Sequence, residues 1–251
     1  MKKKLITALI LTASAILLVC ASVLGTLAFL ASSFAVSNTF TYGDVGIQMF
    51  ESKTDENGNY VDNNNNVIGA SYTVNGLKTS DGNSYKLVPG KSYVKDPTIY
   101  VKEGSVPSYL FVKIKNGIST IEKADTDHPT IKDQMIALGW QEIKSNASGE
   151  VLYIYVGKDN ATNSPMTGAV AAKPVGSTTA EKYDLFSSFT VAENAVVADF
   201  AGAKVTLTAF AIQTEGFTEE KDGLQGYQRA WNAIVGRFPF ESGTVYTATN
   251  N

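Results

Sequence analysis

Few residues of this chain could carry out catalysis, and histidine and cysteine are the scarcest of them. The sequence has one histidine, His128, and one cysteine, Cys20. An HExxH zinc helix needs two histidines one turn apart. A Ser-His-Asp triad would have to use His128, and no G-x-S-x-G motif accompanies it. His128 lies between Asp127 and Pro129 at the start of a predicted helix. We interpret it as a solvated surface residue, and we predict no enzyme activity, no metal site and no cofactor.

The best candidate for cation binding is the stretch DENGNYVDNNNN, residues 55–66. Asp55, Asn57 and Asn59 have the spacing that opens a calcium-binding loop. Tyr60, however, stands where that loop requires glycine, and no glutamate closes it. The Asn-Gly pair favours a hairpin with two turns instead, and the sequence alone leaves cation binding by this stretch open.

Four aromatic residues are candidates for lining a ligand groove: Tyr153, Tyr155, Phe186 and Phe189. Such residues more often fill the core of a β-sandwich, because each one buries a large apolar surface. We therefore expect these four side chains to belong to the core.

Composition excludes one class of partner and one kind of stabilisation. The chain of 251 residues is 44% hydrophobic and 18% charged, which is enough for a sizeable core. Its formal net charge is −3, and no Lys/Arg-rich block follows residues 2–4, so we expect no nucleic-acid binding. Cys20 lies inside the N-terminal apolar run, so the rest of the chain has no disulfide framework.

The first 28 residues have the layout of a signal peptide. Three lysines (residues 2–4) precede a long apolar run, and the next charged residue is Asp44. The tripeptide TLA places small groups at both positions that a signal peptidase recognises, which predicts cleavage between Ala28 and Phe29. The run also exceeds the ~18 apolar residues that permit a membrane span, so an uncleaved anchor stays open. With cleavage, the protein is secreted to the extracellular matrix or cell surface and contacts the membrane only through residues 1–28.

Residues 29–251 are predicted to form a single all-β domain, a β-sandwich with short helical and loop insertions. Val45, Ile47 and Met49 recur at every second position, which places them on one face of a half-buried strand. Turn residues separate the other segments of interest. The predicted strands lie at 85–88, 97–102, 108–115, 150–157 and 203–216, the helices at 128–140 and 223–236, and an insertion-rich region at 116–182.

Several segments, in order, resemble one family. The block KKKLITALILTASAILLVCASVLGTLAFL is similar to the signal peptides cut by a SipW-type signal peptidase, and NTFTYGDVGIQM resembles the first mature strand of TasA/camelysin-like proteins. The block LVPGKSYVKDPTIYVKEGSVPSYLFVKI is similar to the turn, lysine–aspartate pair and strands of that family. YDLFSSFTV and KVTLTAFAIQTEGF resemble its late strands. The resemblance runs from residue 1 to about residue 231.

The resemblance implies a secreted, jelly-roll-like antiparallel β-sandwich, cut after Ala28. TasA-type members are biofilm-matrix proteins that polymerise into fibres, with the N-terminal segment of one subunit completing the sheet of the next. The implied partners are other copies of the chain, the SipW-type signal peptidase and other matrix proteins. Camelysin members are cell-surface metalloproteases, but a single histidine and no clear carboxylate cluster leave no evident zinc site here. A surface adhesin or glycan-binding module is a third alternative.

The N-terminal arm and first strand, residues 29–50, are the segment expected to reach a neighbouring subunit. The segment carries no charge before Asp44 and no proline, so it could add to an open sheet edge. The alternative, that it forms the first strand of its own domain, stays open. The candidate assembly residues are Phe34, Val36, Phe40, Tyr42, Val45, Ile47 and Met49.

Overall fold

The computed structural model describes residues 38–42, 45–69, 78–158, 169–170, 181–196, 200 and 203–237. The described residues belong to one compact unit, Val36–Asn251. The strands are β1 (Asn38–Tyr42), β2 (Ile47–Ser52), β3 (Lys78–Thr79), β4 (Ser92–Val94), β5 (Thr98–Val101), β6 (Ser108–Asn116), β7 (Trp140–Ser145), β8 (Glu150–Tyr155), β9 (Ala169–Val170), β10 (Glu181–Asp184), β11 (Ser188–Thr190) and β12 (Val205–Gln213). The helices are α1 (Ile131–Ala137) and α2 (Gly226–Arg237).

The strands form a large sheet and a smaller sheet that face each other, which confirms the predicted all-β sandwich. The large sheet has the order β1-β12-β6-β8-β7, with β9 also pairing with β6. The smaller sheet has the order β10-β5-β2-β3, and β11 and β4 form a separate pair. The nine-residue strands β6 and β12 pair along their whole length, from Val205 opposite Asn116 to Gln213 opposite Ser108.

The first hydrophobic core lies between the two sheets. Val45, Ile47 and Met49 are each no more than 4% exposed in this core, so the alternation predicted for this segment is confirmed. They face residues of the large sheet that recur at the same two-residue period, as a pleated strand requires. Those partners include Leu110, Val112, Ile114, Leu207, Ala209 and Ala211.

A second core lies on the other face of the large sheet, beneath α2. Phe111 and Phe210 contribute from β6 and β12, and Trp231 contributes from the helix. The Trp231 ring centroid lies 5.2 Å from that of Phe111 and 4.9 Å from that of Phe210. The spacing of Tyr227, Trp231, Ile234 and Val235 predicts this helix, and all four side chains are buried. The helix therefore gives the sandwich a third layer.

The predicted helix at 128–140 is present as α1, over a shorter span. Thr130 is its N-cap, and the Thr130 and Asp133 side chains form a reciprocal capping box. Pro129 consequently precedes the cap and is not part of the first turn. On the far side, the Gln134 side chain accepts a hydrogen bond from Ser187 N and donates one to Ser188 O, which fixes α1 against the chain between β10 and β11.

The prediction of a strand at 85–88 is wrong. The backbone of this stretch forms hydrogen bonds with a tyrosine hydroxyl and not with a neighbouring strand. Tyr93 Oη accepts a hydrogen bond from Val88 N at 2.8 Å and donates one to Lys86 O at 2.6 Å. Lys86 N donates to Glu56 O. The backbone of this apolar stretch is therefore paired without joining a sheet.

The insertion-rich region at 116–182 contributes strands to the large sheet, of which β8 confirms the strand predicted at 150–157 and β7 was not predicted. It supplies β7 and β8, which extend the large sheet beyond β6. A register shift between Glu142 and Lys144 interrupts the pairing of β7 with β8. Such an irregularity at a sheet edge discourages further strand addition, so β7 is a poorer acceptor edge than the opposite side of the sheet.

Candidate functional site

The candidate assembly site is the edge of the large sheet at β1. This strand pairs in parallel with β12, from Asn38 opposite Thr208 to Tyr42 opposite Ile212. It is the one parallel pair among the strands that the structure describes, and every other described pair is antiparallel. Because β1 is terminal in the order of the described strands, the one described ladder that holds it to the sheet is the pairing with β12.

The strand that β1 covers is unusually apolar on both faces. Ala209 and Ala211 are fully buried in the core between the sheets, and Phe210 and Ile212 are fully buried beneath α2. A long strand of this kind, with its backbone groups unpaired along one side, would be an aggregation-prone edge. The edge of β12 therefore needs a covering strand.

The candidate assembly residues separate into three groups in the structure. Phe40 and Tyr42 belong to β1, at the sheet edge. Val45, Ile47 and Met49 lie in or next to β2, which is an inner strand of the smaller sheet, and they are packed into the chain's own core. The remaining assembly residues, Phe34 and Val36, lie outside the described residues, and so do the predicted cleavage pair Ala28 and Phe29 and the predicted signal peptide at 1–28.

The stretch at 55–66 forms two successive turns of the same construction. Asp55 Oδ1 accepts hydrogen bonds from Asn57 N and Asn59 N, at 2.9 and 2.8 Å. Seven residues later, Asp62 Oδ1 accepts from Asn64 N and Asn66 N, both at 2.8 Å. The two-turn prediction is confirmed, and both carboxylates serve as local caps for backbone N–H groups. Within the described part of the chain, no group of three or more His, Cys, Asp or Glu side chains is placed to hold a metal ion.

Replacing Asp62 with alanine is expected to lower the melting temperature near neutral pH. The pKa of Asp62 is lowered below the ordinary value of 3.8, most strongly by the hydrogen bond from the Asn66 side chain and next by the one from the Asn66 backbone N–H. A carboxyl group whose pKa is lowered by folding stabilises the protein above its unfolded pKa, and this contribution disappears as the pH falls through the folded pKa.

Thermal melts of the Asp62→Ala variant and the parent, followed by circular dichroism, should therefore differ near neutral pH and converge in acid. Asn63→Ala is a matched control, because Asn63 is an exposed neighbour in the same turn. Equal melting temperatures for Asp62→Ala and the parent near neutral pH would contradict the capping role.

The other residues considered for chemistry lie in the first core or in a surface turn. Tyr153, Phe186 and Phe189 are buried in the first core, and Tyr155 packs against it, which confirms the core interpretation. His128 is partly exposed, and its Nδ1 lies 2.7 Å from Asp125 Oδ1 across a surface turn.

A buried polar cluster links β2 to the segment between β4 and β5. Lys95 Nζ lies 2.7 Å from Glu51 Oε2. Asp96 accepts hydrogen bonds from Ser52 N at 2.7 Å and Ser52 Oγ at 2.6 Å. Burial raises the pKa of Asp96, and the hydrogen bonds from Ser52 oppose that rise. Asn83 completes the cluster by donating to Glu51 Oε1 and to Ser52 O.

Sequence reasoning noted the lysine–aspartate pair at 95–96 only as part of a resemblance and missed its partners. The available signal is a charged pair, Lys95-Asp96, between the strand-like stretches SYV and TIYV. Charged groups in such a position need partners if they are buried, but the sequence does not say which ones. Glu51 and Asn83 are 44 and 12 positions from Lys95, so only the fold brings them together.

Comparison with known proteins adds no family assignment. Among the described residues, no helix has both the length and the apolar character needed to cross a membrane. The resemblance to TasA/camelysin-like proteins therefore stays a prediction from the residues that carry it. No family model, no curated protein and no solved structure matches the chain.

Proposed function

We propose that this protein is an exported structural protein that polymerises by N-terminal strand addition, without enzymatic activity. The observation that carries the proposal is the position of β1, an early strand at the edge of the large sheet, on a partner strand that is buried on both faces. A jelly-roll arrangement, secretion after cleavage at Ala28, and a role in a biofilm matrix or on the cell surface belong to the same proposal. They rest on the sequence resemblance.

Strand exchange fits the connectivity of this edge. Residues 43–46 link β1 to β2, so β1 can leave its own sheet while β2 and the core between the sheets stay in place. The vacated edge of β12 then accepts the same segment from a neighbouring chain, with main-chain hydrogen bonds in the same register. Each chain donates one segment and accepts one, and such head-to-tail contacts build open filaments.

A pair of cysteines can report which chain supplies β1. Thr39 and Ala209 are opposite each other in the ladder of β1 and β12, and neighbouring strands bring Cα atoms close enough for a disulfide. In a Thr39→Cys/Ala209→Cys variant that begins at Phe29, no other cysteine is present. We expect oxidation under fibre-forming conditions to give a ladder of covalent multimers on non-reducing gels, and reduction to collapse it to one band.

The matched control joins β12 to a strand that cannot exchange. Thr208 and Lys113 are opposite each other in the β12–β6 ladder, in the interior of the sheet. A Thr208→Cys/Lys113→Cys variant should form its disulfide within one chain only. A Thr39→Cys/Ala209→Cys protein that cross-links only within one chain, although fibres are present, would overturn strand addition at this edge.

A further inference from the structure

The buried carboxylate of Glu51 contacts both the amine of Lys95 and the carboxamide of Asn83. Glu51 Oε2 lies 2.7 Å from Lys95 Nζ, and Glu51 Oε1 accepts a hydrogen bond from Asn83 Nδ2 at 2.9 Å. The Glu51 side chain is 5% exposed and the Lys95 side chain 10% exposed. Asn83 Oδ1 accepts a hydrogen bond from Thr54 N at 2.9 Å. A nucleophile, an acid–base group and a polarised carbonyl group are thus assembled at one point.

We propose that Lys95 and Asn83 react with each other to form an intramolecular amide cross-link, with Glu51 as the proton carrier. Lys95 Nζ gives a proton to Glu51 and attacks Cγ of Asn83, and an Nζ–Cγ bond forms. Glu51 returns that proton to Nδ2, the Cγ–Nδ2 bond breaks, and Nδ2 also takes the second proton lost by Nζ and leaves as an ammonium ion. One amide replaces another, so the reaction needs no oxidant, nucleotide or other co-reactant.

The surroundings of the three groups favour this reaction over a permanent ion pair. A buried ammonium–carboxylate pair is costly to desolvate, and transfer of one proton leaves two neutral groups, one of them a nucleophilic amine. The Thr54 N–H points at the oxygen on which negative charge develops when the carbonyl carbon becomes tetrahedral. Both reacting groups already contact the same carboxylate, so the attack requires side-chain movement only.

A second constellation of the same residue types provides an internal comparison. Lys113 Nζ lies 3.4 Å from Glu150 Oε1, and Asn146 Nδ2 donates to Glu150 Oε2 at 2.8 Å. Here the Glu150 side chain is 29% exposed, compared with 5% for Glu51. Water reaches this carboxylate, so burying the charged pair costs less here than at Glu51 and Lys95. We expect Lys113 and Asn146 to remain separate.

The cross-link would join the segment before β4 to the segment after it and would hold both against the end of β2. The described strands contain no cysteine, so an amide is the covalent connection that their chemistry allows. An amide also resists reduction, which a disulfide does not.

Mass spectrometry of the purified chain that begins at Phe29 tests the inference. The intact mass should be lower than the sequence mass by one ammonia molecule. Trypsin should release residues 79–86 and residues 92–102 as one branched peptide that is uncut after Lys95. Cyclisation of an Asn-Gly pair such as Asn57-Gly58 also releases ammonia but leaves these peptides separate, and that result would overturn the proposal, as would a full sequence mass.

Three variants sharpen the test. Lys95→Arg and Glu51→Gln should keep their full sequence masses, because the first lacks the nucleophile and the second lacks the proton carrier. Asn83→Asp should lose one water molecule in place of ammonia and should give the same branched peptide. Since Lys95→Arg or Glu51→Gln could disturb folding, the parent and the Asn83→Asp protein decide the matter: an Asn83→Asp chain that keeps its full mass contradicts the mechanism.

Discussion

Replacing Trp231 with alanine is expected to lower the free energy of unfolding by about 3–5 kcal/mol, the range for removal of a large buried aromatic side chain. Trp231 is fully buried, and its ring packs against Phe111 and Phe210 beneath α2. The cavity would lie between the helix and the sheet, in the second core. Urea denaturation followed by far-ultraviolet circular dichroism measures the loss.

Trp231→Phe is the matched control, since a smaller aromatic ring keeps part of the contact with both phenylalanines. We expect it to cost clearly less than Trp231→Ala. If the alanine variant loses less than about 0.5 kcal/mol, the range typical of a surface substitution, the helix does not pack on the large sheet through this residue. Limited proteolysis near α2 offers a second readout, because a loosened helix opens at a lower free energy than the sheet.

The parts of the fold that follow from local pattern could be predicted from the sequence. The period of two at Val45, Ile47 and Met49 identifies a strand with one buried face. The spacing of Tyr227, Trp231 and Ile234 likewise identifies a helix with one buried face. Each signal is contained in a few consecutive residues, and burial in the structure follows it.

The features that sequence reasoning missed depend on residues far apart in the chain. The stretch at 85–88 has a strand-like composition, but the Tyr93 hydroxyl satisfies its backbone. The parallel pairing of β1 with β12 joins opposite parts of the sequence. The set formed by Glu51, Asn83 and Lys95 likewise has no local signature, because three common polar residues acquire a joint chemistry only when the fold places them on one carboxylate.

The two proposed features of this molecule act at different places in the sandwich. Strand exchange concerns β1 and the edge of the large sheet, whereas Lys95 and Asn83 lie beside β2 of the smaller sheet. An exchanged strand transmits load through main-chain hydrogen bonds between subunits, and an amide would fix the fold within each subunit. Each proposal can be tested without the other.

Deleting β1 is expected to abolish fibre formation completely. A chain that begins at Gly43 keeps β2 and the core between the sheets but has no segment to donate, and it leaves the edge of β12 uncovered. Electron microscopy and light scattering, compared with the chain that begins at Phe29, should show no filaments. The uncovered apolar edge should make the shortened chain prone to amorphous association.

A synthetic peptide of residues 29–42 should bind the shortened chain and suppress that association, because it restores the ladder along β12 without linking one subunit to the next. A peptide of the same composition in scrambled order is the control, since it has equal hydrophobicity but cannot match the buried pattern of the edge. Filaments from the shortened chain would show that assembly uses another surface. Equal binding of the two peptides would show that the β12 edge does not select this segment, so a sequence-specific rescue is the outcome that strand addition requires.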